Sequence, residues 1–131
     1  ENYTPKKNRS EILKTKNNLL ILDAYNANPS SMKAMITSFS KQDYTDKLCI
    51  LGDMLELGEY SIKEHSAILD LVKTLHLEVI LIGKEFSKIS KEAFKDRNAF
   101  EIFLKSNPIK NKTILLKGSR GISLEKLTNY L

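Results

Sequence analysis

Long apolar runs are missing from this 131-residue chain. Its apolar stretches, Leu19–Leu22, Leu48–Leu51 and Val79–Ile82, fall far short of the roughly 20 residues a membrane-spanning helix needs. No charged-then-apolar leader opens the sequence, so nothing marks it for secretion. Without such a leader, the glycosylation patterns at Asn2-Tyr3-Thr4 and Asn111-Lys112-Thr113 read as chance matches. A single cysteine, Cys49, excludes an internal disulfide, and its apolar surroundings predict a buried, inert thiol. Internal repeats and low-complexity segments are absent. So are the GxxxxGK[ST] phosphate loop, HExxH, CxxC and any Ser/His/Asp arrangement, which leaves metalloprotease, zinc and hydrolase readings without support. What remains leads us to expect a soluble, intracellular domain.

Charge is not concentrated either. Lys and Arg number 21 against 16 Asp and Glu, a net charge of +5. The lysines are spread along the chain, however, with one dense group at Lys6, Lys7 and Arg9. Solvated faces account for that excess, and neither nucleic acid nor membrane is expected as a partner. A composition of 41% hydrophobic and 28% charged residues is that of an ordinary globular protein, not a collagenous, disordered or disulfide-rich one. Domains most often run to about 100–150 residues, so a single domain is expected. At this size roughly two-thirds of the chain's surface can be buried.

Residues 1–10, polar and basic around Pro5, read as an interdomain linker, and residues 11–131 as the domain. Ile12-Leu13, a turn at Lys16-Asn17-Asn18 and the run from Leu19 predict a short strand followed by a buried one. Met32, Met35, Ile36 and Phe39 share one helical face, started by Asn28 as cap and Pro29 in the first turn. A strand over Lys47–Leu51 precedes a capping box at Ser61–Glu64 and a helix facing inward through Ile68, Leu71, Val72 and Leu75. Further on come a strand at Glu78–Ile82, a helix with Phe86 and Ile89, and a helix capped by Asn98 that carries Phe100, Phe103 and Leu104. A strand at Thr113–Leu116 and a last helix capped by Ser123, with Leu124, Leu127 and Leu131 inward, complete the pattern. Strands apolar throughout, alternating with amphipathic helices, predict an α/β fold of three layers, Rossmann-like. Its sheet is mostly parallel with helices on both faces, and open to one antiparallel edge strand at the N-terminus.

Ligands of such sheets bind beyond the carboxyl ends of the strands. Three segments follow strands there. Asp23-Ala24-Tyr25-Asn26-Ala27-Asn28-Pro29 offers a carboxylate for a ribose hydroxyl, amides for a nucleotide and helix N–H groups for an anion. Asn28 as a plain cap and Asp23 as a turn-former is the plainer alternative. Gly52-Asp53-Met54-Leu55-Glu56-Leu57-Gly58 sets two carboxylates between glycines ahead of His65, which suits an ammonium, a metal-bound water or a proton. Equally, Met54, Leu55 and Leu57 could tuck into the core and leave a structural loop, with His65 an ordinary helix-terminal histidine. Lys117-Gly118-Ser119-Arg120-Gly121 places two cations and a hydroxyl on a tight turn, fit for carboxylate or phosphate, or for solvent alone.

With Asn8-Arg9-Ser10 and His65, these segments resemble, in order and from end to end, the C-terminal domain of the Mur ligases. The Tyr25–Pro29 run and the Gly52-Asp53-Met54 loop are similar to the branch that adds D-alanyl-D-alanine. The resemblance implies a monomeric, cytoplasmic bacterial enzyme of peptidoglycan synthesis with three domains, of which this is the last. Such enzymes join D-Ala-D-Ala to UDP-N-acetylmuramoyl-tripeptide. ATP with Mg2+ first phosphorylates the tripeptide carboxylate, and the dipeptide amine then attacks the acyl phosphate. By the same resemblance Arg9, Asp23, Tyr25, Asn26 and Asn28 bind nucleotide, whereas Asp53, Glu56, Lys117, Ser119 and Arg120 face the acceptor dipeptide. The family's phosphate loop and its magnesium and tripeptide contacts belong to the middle domain. No complete catalytic set or metal site is therefore expected in this domain, and the isolated chain is expected to be inactive. A receiver-like phospho-aspartate module is the rival, with Asp53 as acceptor if Ile12-Leu13 counts as a strand. That rival supplies no reason for Tyr25–Pro29 or Lys117–Arg120.

Overall fold

The computed structural model describes residues 10–24 and 26–131. Arg9 and Tyr25, with Asn8, lie outside the described residues.

Five strands, β1 (Glu11–Lys14), β2 (Leu19–Asp23), β3 (Lys47–Gly52), β4 (Glu78–Ile82) and β5 (Thr113–Lys117), form one sheet in the order β1-β2-β5-β3-β4. β1 runs antiparallel to β2 at the edge; the other neighbours are parallel. The inner strands are apolar throughout because both faces are covered. Along β3, Cys49 and Leu51 enter one core while Leu48 and Ile50 enter the other, the two-residue period of a strand. The first face carries α1 (Pro29–Lys41), α2 (Ser61–Thr74) and α3 (Lys84–Ser87) through Met32, Ile36, Phe39, Ile68, Val72 and Phe86. The second carries α4 (Arg97–Ser106) and the 3-10 segment Leu124–Tyr130 through Phe100, Leu104, Leu124, Leu127 and Leu131. The expected three-layer α/β arrangement, with its antiparallel edge strand, is therefore the one observed.

α1 begins as its sequence predicts. Asn28 accepts the Ser31 N–H at 2.9 Å, Ser31 Oγ accepts the Asn28 N–H at 3.1 Å, and Pro29 takes the first turn, where no N–H is needed. The other starts differ from expectation. Tyr60, not Ser61, precedes α2, and it makes no side-chain cap; Ser61 lies inside the helix with its hydroxyl turned to Glu85. Asp96, not Asn98, caps α4 by accepting the Ala99 N–H at 2.8 Å, and Glu101 pairs with Arg97 at 2.8 Å. Phe94 bridges to Ile82, which brings Asp96 to the helix start first. α3 is a single turn that ends before Ile89. Ser123 adopts φ +57° and makes no cap, and the segment after it, Leu124–Tyr130, is 3-10 rather than α-helical, although its leucines still point inward. Phe103 stays 41% exposed, its ring 5.2 Å from that of Phe94.

β5, the last strand in sequence, inserts between β2 and β3. Register places Asp23 beside Lys117, Lys117 beside Leu51, and Gly52 beside Ile82. The carboxyl ends of all the parallel strands therefore finish level, at one rim.

Candidate functional site

Lys117 ends the central strand β5, so its side chain has little access to water and is 3% exposed. A buried ammonium must be paired. Nζ donates to Asp23 Oδ2 at 2.9 Å and to the Asn26 carbonyl at 3.1 Å. The third turn is thereby tied to the first, and the charges expected to meet ligands are used on one another. Asn26 is exposed, and the Asn28 side-chain oxygen is occupied by its cap.

Beyond Lys117 the chain meets the second turn. A Cβ on Gly118 would stand 2.8 Å from Gly52 Cα, so the ends of β3 and β5 approach as closely as paired glycines allow. Ser119 donates its N–H to the Asp53 carbonyl at 2.9 Å, and its hydroxyl accepts the Leu55 N–H at 2.8 Å. Asp53 is 2% exposed. Its carboxylate oxygens accept the Glu85 N–H at 2.9 Å and the Phe86 N–H at 3.0 Å, at the start of α3. Gly83 makes room for it with φ +132°; a Cβ there would lie 2.2 Å from Asp53 Cγ.

His65, fully buried on α2, accepts the Met54 N–H at Nε2 (3.0 Å). Nδ1 therefore carries the ring proton and donates it to the Ser61 carbonyl at 2.7 Å. With Nε2 committed as an acceptor, the 4.0 Å approach to Asp53 is a contact between carboxylate and neutral imidazole rather than an ion pair. Ser61 Oγ donates to Glu85 Oε1, and this bond, with Lys88 beside it, holds the Glu85 carboxyl below its ordinary range. Met54 is buried as the structural alternative had it; Leu55 is exposed.

The three turns read from sequence are thus linked in series along the rim, from Asp23 through Lys117 and Ser119 to Asp53 and on to α3. A cavity of about 410 Å3 opens beside the second and third turns, walled by Asp53, Leu55, Lys84, Glu85, Lys95 and Gly121 among others. Asp23, Asn26 and Asn28 do not line it. Arg120 and Glu56 lie exposed on the adjoining loops, Glu56 at φ +65°. Lys84, Lys95 and the Asp96–Arg97 start of α4 are site residues that sequence reasoning missed. The strand-end rule that selected the other turns applied equally to Gly83 after β4, and would have found Lys84. Among the described residues no group of three His, Cys, Asp or Glu side chains gathers to hold a metal ion, so no step through magnesium is derived from this domain.

Residues 8–120 match the family model described as "Mur ligase, glutamate ligase domain". The chain is 36% identical over 137 residues to the UDP-N-acetylmuramoyl-tripeptide–D-alanyl-D-alanine ligase of Bacillus subtilis, covering 94% of this chain and 30% of that protein. The ligase of the same name from Rickettsia prowazekii is 32% identical over 133 residues, with 95% and 30% covered. A crystal structure of MurF from Acinetobacter baumannii superposes with a TM-score of 0.75 at 27% identity, over 98% of this chain and 30% of that one. The Thermotoga maritima MurF structure, in complex with ADP, gives the same TM-score of 0.75 over 98% of this chain and 30% of that one; at 24% identity it speaks to the fold alone. The chain spans about 30% of the length of the curated relatives it matches.

Proposed function

The chain belongs to the Mur ligase family, and from that premise we propose that it is the C-terminal domain of an ATP-dependent ligase of bacterial cell-wall synthesis. The whole enzyme would add D-Ala-D-Ala to UDP-N-acetylmuramoyl-tripeptide in the cytoplasm, acting as a monomer, through an acyl phosphate formed from ATP with Mg2+. Residues 1–10 would link this domain, residues 11–131, to the preceding ones. The observation that carries the proposal is the rim: the three turns that bear the family resemblance are hydrogen-bonded into one continuous edge beside a cavity of about 410 Å3, roomy enough for a dipeptide.

The residue roles proposed here combine the resemblance with the hydrogen bonds of the described residues. We assign Arg9, Asp23, Tyr25, Asn26 and Asn28 to the nucleotide, as the resemblance implies. Asp23 would meet a ribose hydroxyl with a carboxylate already oriented by Lys117, and Asn28 with its amide N–H2, since its oxygen caps α1. ADP bound by a Thermotoga protein of this fold is consistent with a nucleotide here. On the acceptor side, Lys117, Asp53 and Ser119 serve by holding the turns in place, because their polar groups are engaged within the rim. Lys84 and Lys95 would neutralise the dipeptide carboxylate, and Glu56 and Arg120 would approach from the exposed loops. The domain's contribution is orientation of the attacking amine and neutralisation of the carboxylate charge of the dipeptide that carries it.

A receiver reading needs an accessible carboxylate on Asp53, and that group is buried with a backbone N–H on each oxygen. The deciding assay mixes ATP, Mg2+, tripeptide precursor and D-Ala-D-Ala with the full-length ligase carrying this domain, and separately with the isolated chain. Dipeptide-dependent phosphate release is expected from the former and not from the latter. Steady release by the isolated chain, or none by the full-length protein, overturns the proposal.

A further inference from the structure

We infer that His65 is a positioning residue for the acceptor substrate, acting through the Met54–Leu55 segment; the inference rests on the ligase function proposed above. His65 is fully buried at the first face of the sheet, with its ring edge-on to Phe86 at 4.6 Å. Its two nitrogens perform separate tasks. Nδ1–H closes onto the Ser61 carbonyl within its own helix, a bond that any helical donor could replace. Nε2 reaches out of the helix to accept the Met54 N–H, eleven positions away in sequence.

That second bond lies at the head of the rim. Asp53, immediately before Met54, holds α3 by its carboxylate, and Leu55, immediately after, is held by Ser119 Oγ. Asp53 and Leu55 also wall the 410 Å3 cavity, as does Glu85, which Ser61 orients from the turn of α2 that His65 closes. The strand has ended by this point, so no ladder bond is left to fix Met54. Without an acceptor at Nε2, the Met54 N–H would be buried with no partner, a condition native structures avoid. The segment would shift to find one, and the cavity wall would move with it. The groups that face His65 are Asp53 Oδ1 at 4.0 Å, the Ser61 hydroxyl at 3.2 Å and, through that hydroxyl, Glu85. Each already has a partner of its own: Asp53 Oδ1 accepts the Phe86 N–H, and the Ser61 hydroxyl donates to Glu85.

The two nitrogens can be separated by substitution. Gln places an acceptor at the Nε2 position, whereas Asn places a donor near Nδ1 and nothing at Nε2. In the full-length ligase, His65→Asn is expected to raise KM for D-Ala-D-Ala at least tenfold while KM for ATP stays within twofold. His65→Gln should recover most of that rise even though both variants melt at lower temperature than the parent. An unchanged dipeptide KM in His65→Asn, or Gln and Asn variants equal in KM, overturns the inference. So does an ATP KM that rises in step with that of the dipeptide. If the parent enzyme does not ligate at all, the ligase function falls first. The latch is then judged on the 131-residue chain by 15N NMR. An Nδ1–H tautomer, with Met54 amide protection lost in His65→Asn and kept in His65→Gln, supports it; protection equal in all three overturns it.

Discussion

The joint between Gly83 and Asp53 makes a prediction that can be worked through in energy. Gly83 sits at φ +132° and ψ 166°, a region essentially reserved for glycine, and forcing a residue with a Cβ there costs about 1–3 kcal/mol. That Cβ would also lie 2.2–2.3 Å from the Asp53 carboxylate atoms, so the carboxylate must leave the N–H groups of Glu85 and Phe86. Hydrogen bonds to a charged group contribute about 1.5–3 kcal/mol each, less when water can replace them, so losing this pair costs about 2–4 kcal/mol. Gly83→Ala should therefore destabilise the chain by about 3–7 kcal/mol, and Asp53→Ala alone by about 2–4. The double variant should be no less stable than Gly83→Ala by itself, because the carboxylate has already been displaced. Urea unfolding of all four proteins, followed by circular dichroism at neutral pH, measures the cycle, with an osmolyte added equally to each if Gly83→Ala is too unstable in buffer. A coupling of about 2–4 kcal/mol is expected. Additive costs, within about 0.5 kcal/mol, would refute the claim that the glycine exists to admit the carboxylate.

Other outcomes follow from the same rim and core. Lys117→Met breaks the buried pair with Asp23; such losses run to about 3–5 kcal/mol, and the partial access of Asp23 to water points to the lower end, read as a fall in urea midpoint with unchanged slope. Burial pushes the Cys49 thiol up to about 12, so a thiol-reactive disulfide at pH 8 should label only unfolded chain; prompt labelling of the folded protein would contradict this. Glu85 ionises more readily in the folded than in the unfolded chain, chiefly through the Ser61 hydroxyl and then Lys88. Its contribution to stability is thus complete above the unfolded carboxyl range, about 4.3, and is lost as pH falls through the folded value. Ser61→Ala should move the Glu85 NMR titration upward and shrink that acid-side loss; an unmoved titration would argue against the bond.

Local pattern was enough to place most of the framework. β4 appears where its apolar run predicts, α1 starts at Asn28-Pro29, and the inward faces of α1 and α2 follow the helical period, because each signal lies within a few residues of its effect. Where two residues could serve the same local task, tertiary contacts chose between them. Asp96 displaced Asn98 as a cap because the Phe94 bridge to β4 fixes the chain just before it. Ser61, well placed for a capping box, instead answers a carboxylate from α3.

The amino-acid order by itself determined the layers and the three turns that end at the rim, and left the antiparallel edge open, since hydrophobic periodicity and cap chemistry are properties of neighbours in sequence. The partners of the charged groups were decided only by the fold. Lys117 and Asp23 are 94 positions apart, and they meet because β5, the last strand made, enters between β2 and β3. Burial then obliges each of these charges to find a partner within the protein. Groups that read as free to hold a ligand became the ties of the rim, and Lys84 and Lys95, which carried no motif, line its cavity.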